Sequence, residues 1–300
     1  EAFLEIIASS GGINGTLCAK KYDISKSTTD YKKVLTDKKV DIVIITTRHA
    51  SHAKLVIESL ESGKNTFVEK PLALSINELD KIIDTYSEQK KKNESLQLCV
   101  GFNRRFSPHL NSIKGSLGSD SGVMNIIVTM NAGFVPHDHW VHDLSIGGGR
   151  IIGEACHLID VCVYLTGSLV HSVCMSGMGK ETDLATDNGS ILLKFQNGSN
   201  AVVNYFSNGS KKYTKERVEV FSKEQIWIMD NYRKTESYGT KKFKPLKTKI
   251  DKGHNNQFRQ LVNRTKHGGR PLISFEEIIN VTKASFAAIQ SLKEKKWVKV

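Results

Sequence analysis

The spacing of apolar residues changes character near residue 100. Before that point, short apolar runs alternate with stretches in which apolar positions recur every three or four residues. Residues 40–46, Val-Asp-Ile-Val-Ile-Ile-Thr, form an almost unbroken β-branched run, the pattern of a parallel strand buried on both faces. Shorter strands are predicted over 15–20, 65–69 and 96–101. Helical spacing covers 1–9, 30–36, 51–62 and 75–86, and the last opens on a capping box, Ser75 with Glu78 three residues later. Strands alternating with helices in this way predict right-handed β-α-β units and a doubly wound α/β sheet. Such a sheet opens with a strand and a glycine-rich turn. Here the chain opens on a predicted helix, so residues 1–102 are expected to form a parallel-sheet domain lacking its first strand and glycine-rich loop.

Beyond Gly101 the period shortens to two. Strands of an antiparallel sheet are predicted over 123–130, 190–195, 201–206, 218–221 and 225–229, with Asn197-Gly198 and Asn208-Gly209 as hairpin turns. Helices over 151–165, 255–263 and 275–292 complete an α+β unit, 103–300, with the boundary near Asn103.

Composition narrows the class. Hydrophobic residues make up 39% and charged residues 25%, as in a soluble globular protein. No stretch approaches the roughly 20 apolar residues of a membrane span, and no secretory signal opens the chain, which starts at Glu1 and not at Met. Five cysteines, an odd number with no Cys-x-x-Cys pair, read as buried thiols in a reducing compartment, the cytoplasm. The net charge of +12 raises nucleic acid as a partner. Its Lys-rich runs, at 90–92, 211–212 and 241–249, lack interleaved aromatics and match no DNA-reading motif, so they read as solvated surface. An anionic cofactor or substrate suits the same field.

Four segments carry candidate chemistry. Thr46-Thr47-Arg48-His49-Ala50-Ser51-His52 follows the strongest strand, where polar side chains hold phosphate and ribose in doubly wound sheets; helix capping by Ser51 beside incidental histidines is the plain alternative. Glu69-Lys70-Pro71 ends the next strand, and a Lys before Pro leaves the strand end toward the cleft. Its ammonium either steadies a developing oxyanion or is an ordinary turn lysine. The pair Arg104-Arg105 at the domain crossing either faces the cleft or salt-bridges the two domains. Gly147-Gly148-Gly149 opens a predicted helix in which Glu154, His157 and Asp160 recur every three residues. A neutral imidazole there can take a hydroxyl proton; a satisfied core histidine is the competing reading. His137-Asp138-His139 with His142-Asp143 offers zinc-type ligands at a spacing that matches no standard site, and no metal is expected.

Taken in order, segments 41–74, 101–108 and 147–167 resemble the glucose-fructose oxidoreductase/inositol dehydrogenase/MocA (Gfo/Idh/MocA) family. Residues 215–221, Asp230-Asn231-Tyr232-Arg233 and Lys252-Gly253-His254 echo a subgroup fused to, or encoded beside, alcohol-dehydrogenase-like modules. The resemblance implies a Rossmann-type domain for NAD or NADP. It also implies a second domain on an open, mostly antiparallel sheet that closes the substrate cleft and often joins copies into dimers or tetramers. By the same match Lys70 sits at the nicotinamide and the reacting hydroxyl, and His157 is the acid/base. Glu69, Thr47 and His52 fall on the cofactor side with Thr46 and His49, while Arg105, His142 and Glu154 fall on the substrate side. The reaction implied is hydride transfer between nicotinamide and a sugar, sugar derivative or cyclitol. The alternatives are a noncatalytic relative that binds a sugar nucleotide or a partner, and a lyase or isomerase that recycles its nicotinamide. Two departures stand out: the family's Asp four residues before the histidine is Gly153 here, with Glu154 beside it, and the glycine-rich loop is absent. Lys20-Lys21, expected at a strand end that supplies the adenosine-ribose contact, favour NADP because cations accommodate a 2′-phosphate.

Overall fold

A computed structural model describes residues 2–118, 122–180, 183–240 and 243–300. Strands β1 (Ile6–Ala8) and β2 (Lys26–Thr28) pair in parallel, joined by helix α1 (Ile13–Lys21). Within the expected helix over 1–9, residues 6–8 form a strand and 2–5 and 9 have no regular structure, Glu1 lying outside the described residues; the expected strand over 15–20 is a helix. The reason is local ambiguity. Phe3, Leu4, Ile6 and Ile7 satisfy either period in so short a window, and the β-branched Ile6 and Ile7 find a strand partner in residues 26–28. In α1, Leu17, Ala19, Lys20 and Lys21 are good helix formers, and the two lysines complement the negative end of the helix dipole.

After α2 (Lys32–Thr36), strands β3 (Ile42–Ile45), β4 (Asn65–Val68) and β5 (Leu98–Val100) form a parallel sheet in chain order. Their crossovers are α3 (His52–Glu61), which Gly63 terminates at φ 71°, and α4 (Ile76–Lys92). Ser75 caps α4 by accepting from the Glu78 amide at 3.3 Å, and the Glu78 carboxylate reaches back to the Leu74 amide at 2.8 Å. Val56 and Leu60 of α3 and Leu79 and Ile82 of α4 are fully buried. Each such side chain contributes roughly 1.5–3 kcal/mol.

The chain then leaves the parallel layer through a 3-10 turn, Asn103–Phe106, and α5 (Pro108–Leu117). The second layer holds β6 (Asn125–Asn131), α6 (Cys156–Thr166), β7 (Val170–Gly177), β8 (Asn188–Phe195), β9 (Asn200–Phe206) and β10 (Glu216–Ser222). It continues with β11 (Gln225–Asp230), β12 (Lys234–Tyr238), β13 (Leu246–Lys247), α7 (His254–His267), α8 (Phe275–Glu294) and β14 (Val298–Lys299). Among the described residues these strands make one nine-stranded sheet in the order β13-β12-β11-β10-β6-β9-β8-β7-β14, antiparallel throughout except for β6 beside β9. Asn197-Gly198 turns the β8–β9 hairpin, with Gly198 at φ 88°. Asn208-Gly209 does not turn a hairpin, because β9 and β10 flank β6 on opposite sides. Alternation buries one face of the sheet, Val128, Ile191, Leu193, Val203 and Val220 for example, under α6 and α8. Among the described residues no helix is long and apolar enough to cross a membrane.

Candidate active site

The parallel strands β3, β4 and β5 deliver three chain segments to one edge: Thr46–Arg48, Glu69–Lys70 and Gly101–Phe102. Gly101 lets Glu69 pack close. A Cβ on it would lie 2.7 Å from the Glu69 carboxylate, which packs against the glycine. Lys70 precedes a cis peptide bond to Pro71, and its ammonium donates to the Gly153 carbonyl at 2.7 Å. That carbonyl belongs to a π turn, Ile151–Ala155, that runs directly into α6 where an uninterrupted α-helix was expected. A π turn shifts each amide to the fifth carbonyl back and re-aims the backbone, and such turns recur at functional sites. One turn further along stands His157. The lysine from one domain and the histidine from the other thus meet on a single stretch of helix.

His157 is buried, its ring edge-on to Phe102 at 6.1 Å, and its Nδ1 has no hydrogen-bond partner. Burial, then the charges of Arg104, Lys70, Lys252 and His254, hold its pKa well below the usual histidine value. His49 is pushed down to about 4, chiefly by burial, although its Nδ1 pairs with the Gly147 carbonyl at 2.8 Å. His52, also lowered by burial, is turned fully inward: Nδ1 lies 2.7 Å from the Pro71 carbonyl and Nε2 3.1 Å from that of Thr47. Neutral, it has one N–H and donates to one of these two carbonyls; neither nitrogen faces a ligand, so its expected cofactor contact is replaced by a positioning role.

These imidazoles carry a pH prediction. In the unfolded chain histidine titrates near 6.5. Below that value the unfolded state binds protons that the folded state refuses, so stability present above pH about 6.5 is lost as pH falls toward the folded values, about 4 for His49. For His49 the contribution is roughly 3 kcal/mol at the limit. The urea midpoint should drop between pH 7 and pH 5; an unchanged midpoint would contradict neutral buried rings.

The other expected site residues fall into two groups. Thr46, Thr47 and Arg48 are exposed at the end of β3, with Thr47 Oγ1 2.6 Å from Ser51 Oγ. The loop carrying His142 covers this end: Trp140 stacks edge-on against His49 at 4.9 Å, and the Ala50 amide donates to the Ile146 carbonyl. His142 itself neighbours His137 at 5.7 Å and has a buried, unpartnered Nε2. Among the described residues no three His, Cys, Asp or Glu side chains gather as metal ligands.

Arg105 is not a substrate contact. Its guanidinium is 6% exposed and spent on Asp160, at 2.6–3.2 Å, and on Glu277 at 2.5 Å. Arg104 likewise holds Glu216 through two bonds, 2.7 and 3.1 Å. Both arginines form salt bridges, but Asp160, Glu216 and Glu277 all lie in 103–300 with them, so neither arginine bridges the two domains as the alternative expected. Lys20 and Lys21 close helix α1 instead of a strand, which removes the stated basis for NADP.

Two profiles match the chain: one described as an oxidoreductase family with NAD-binding Rossmann fold over residues 4–95, and the GFO/IDH/MocA C-terminal domain over 122–226. The chain belongs to the Gfo/Idh/MocA oxidoreductase family. Myo-inositol 2-dehydrogenase of Thermotoga maritima is 26% identical over 94% of this chain and 86% of its own length. The uncharacterized oxidoreductase YrbE of Bacillus subtilis is 30% identical over 72% of this chain and 63% of its own. A levoglucosan dehydrogenase solved with NADH and levoglucosan superposes with a TM-score of 0.87 at 21% identity, covering 99% of this chain and 90% of that one.

Within this Gfo/Idh/MocA chain, the glycine at 153 is closely packed. A Cβ there would lie 3.0 Å from His49 Cε1 and 3.3 Å from the Gly147 carbonyl oxygen, so an aspartate would require the His49 ring to shift by a few tenths of an ångström. Glu154 does not substitute: Arg150, at 3.1 and 3.3 Å, and the Tyr205 hydroxyl, at 2.6 Å, hold its carboxylate toward β9. Lys70 rests instead on a backbone carbonyl. Sequence reasoning assigned no part here to Glu216, to Phe102 or to the catalytic-side position of Lys252 and His254, because no local spacing links them to His157.

Proposed function

We propose that the protein is an NAD-dependent dehydrogenase that oxidises a carbinol of a sugar, sugar derivative or cyclitol, or reduces the corresponding ketone. The observation that carries this reading is the bond from Lys70 Nζ to the Gly153 carbonyl, one turn before the buried, unpartnered imidazole of His157. The residues present fit a dinucleotide: the exposed Thr46, Thr47 and Arg48 follow β3 at the carboxyl edge of a parallel sheet, where such ligands lie. Thr46, Thr47, His49 and Glu69 are the proposed cofactor-side residues. NAD is the proposed cofactor, in keeping with the family profile.

A bound nicotinamide supplies the hydride acceptor. Lys70 holds the substrate oxygen: one of its three N–H donors serves Gly153, and two remain for the hydroxyl and for the charge that develops as it becomes a carbonyl. His157, held neutral, takes the hydroxyl proton on its ring and returns it in the reverse direction. Loop 137–149, with Trp140 against His49, shields the His49 side of that edge, and His142 is the loop's proposed substrate contact.

The same reading includes a cytoplasmic protein, consistent with five free thiols. It also includes a homo-oligomer joined through the open face of the nine-stranded sheet, where Leu192, Val202 and Ile127 form one cross-strand row with Leu192 and Ile127 exposed. An alcohol-dehydrogenase-like module, fused or neighbouring, is the proposed further partner. The test is absorbance at the NADH band for the protein with NAD or NADP and a panel of inositols and sugars. Reduction of NAD by at least one polyol is expected. Product formation without net NADH would replace this reading with a nicotinamide-recycling lyase or isomerase, and no turnover of any kind would leave a binding protein.

A further inference from the structure

A cavity opens along the segment that joins β13 to α7. It has a volume of about 440 Å³ and is lined by Lys249, Asp251, Lys252, His254 and Asn255 among others. Its wall is rigid. Gly253 sits at φ 89°, and a Cβ on it would lie 2.5 Å from the Asn103 carbonyl oxygen and the backbone at Phe106 and Ser107. The Asn103 side chain donates to the Lys252 carbonyl at 2.8 Å, Asn256 to that of Phe106 at 3.0 Å, and Gln257 to that of Val100 at 2.9 Å. The segment is thereby fixed to the end of β5. The wall lies beside the centre: Asn103, which holds Lys252, follows directly on Phe102, whose ring is 6.1 Å from that of His157.

The charge on this wall is unbalanced. Glu216, 1% exposed, accepts from Arg104 through both oxygens and from Lys252 at 2.5 Å, so two cations share one buried carboxylate. Lys215 adds a third ammonium, close enough to Lys252 that repulsion helps to lower its pKa after burial. The lining carboxylate, Asp251, accepts from the Gly253 amide at 2.8 Å and offsets one of these cations. The 14-residue α7 begins at His254 with no acidic residue in its first turn and no side-chain cap, so its positive end also opens here. Lys252 spends one N–H on Glu216 and keeps two.

We propose that this cavity is a subsite for an anionic group on the substrate, a carboxylate or phosphate borne on the same sugar or cyclitol whose carbinol lies at Lys70 and His157. The proposal rests on the dehydrogenase reading for its location and selects, within that reading, acidic over neutral substrates. Lys252 donates to the anion, Lys249 at the exposed rim adds charge, and the first amides of α7 complete the cradle.

Binding is measured calorimetrically with NADH present, using glucuronate, glucose 6-phosphate, glucose and myo-inositol, for the native protein and for Lys252→Met and Lys249→Met. Because binding is read without turnover, the result stands even when no sugar is oxidised, and the NADH-formation assay judges the dehydrogenase reading separately. The expected result is that at least one anionic ligand binds about tenfold or more tighter than glucose, and more weakly with rising salt. The more tightly held of the two identifies the group. Lys252→Met should remove most of that preference; Lys249→Met, at an exposed position less costly to the fold, should reduce it severalfold. Equal or tighter binding of the neutral ligands, competition between glucuronate and NADH, or equal loss for charged and neutral ligands in Lys249→Met overturns the proposal.

Discussion

Lys70→Met is expected to lower kcat by about a thousandfold, a loss of about 4 kcal/mol in transition-state stabilisation. The expectation follows from what the ammonium does not spend. Its one hydrogen bond to the fold, to the Gly153 carbonyl, ties the end of β4 to the π turn. A charge-assisted bond of that kind contributes roughly 1.5–3 kcal/mol, so the variant should unfold somewhat earlier in urea but remain folded at 25 °C. Its two other donors have the larger effect, because they act only when a hydroxyl becomes a carbonyl. Lys70→Arg keeps the charge but replaces a compact ammonium with a planar fork too wide for one carbonyl and one hydroxyl, and should recover little. Steady-state kinetics beside a urea titration checks both halves. A Lys70→Met enzyme within tenfold of the native kcat would remove the lysine from the chemistry.

How much of this was legible depends on sequence distance. The strand over 42–45 and the Ser75–Glu78 cap are local patterns, and both stand where the spacing predicts them. The exchange of helix and strand near the start reflects elements too short for a period to show, three residues in β1 and nine in α1. Strand β7 escaped notice for another reason: its pairing with β8 slips between Val170 and Ser172, and that irregularity breaks the alternation of apolar and polar positions. Lys70 and His157 could be picked out because each sits at an element end with a recognisable neighbourhood. The partners of the arginines could not. Arg104 meets Glu216 across 112 positions, and Arg105 meets Asp160 and Glu277 across 55 and 172. His49 and Gly153 pack closely, yet only the fold brings them together. Where both members of a pair lie in one helix or one turn, chemistry can be read from spacing. Where they lie far apart in the chain, residue type suggests a role and only topology decides it.

Arg105 gives the sharpest test of that difference, since the same side chain supports opposite expectations. As a substrate contact its loss would raise KM and leave stability alone. As observed, it is enclosed by Asp160, 0% exposed, by Glu277 and by the Tyr164 ring 5.4 Å from its guanidinium carbon. Arg105→Leu strands a fully buried carboxylate, a change that costs about 3–5 kcal/mol and should lower Tm by roughly 10 °C. The double variant Arg105→Leu with Asp160→Leu removes the stranded charge along with its partner and should regain much of the loss, because a buried pair replaced by apolar groups is close to neutral. Calorimetric melting of the native protein, the single and the double variant separates the two roles. A single variant that melts like the native protein but shows a raised KM would return Arg105 to the substrate; a large drop in Tm, recovered by the second substitution, keeps it in the joint between α6 and α8.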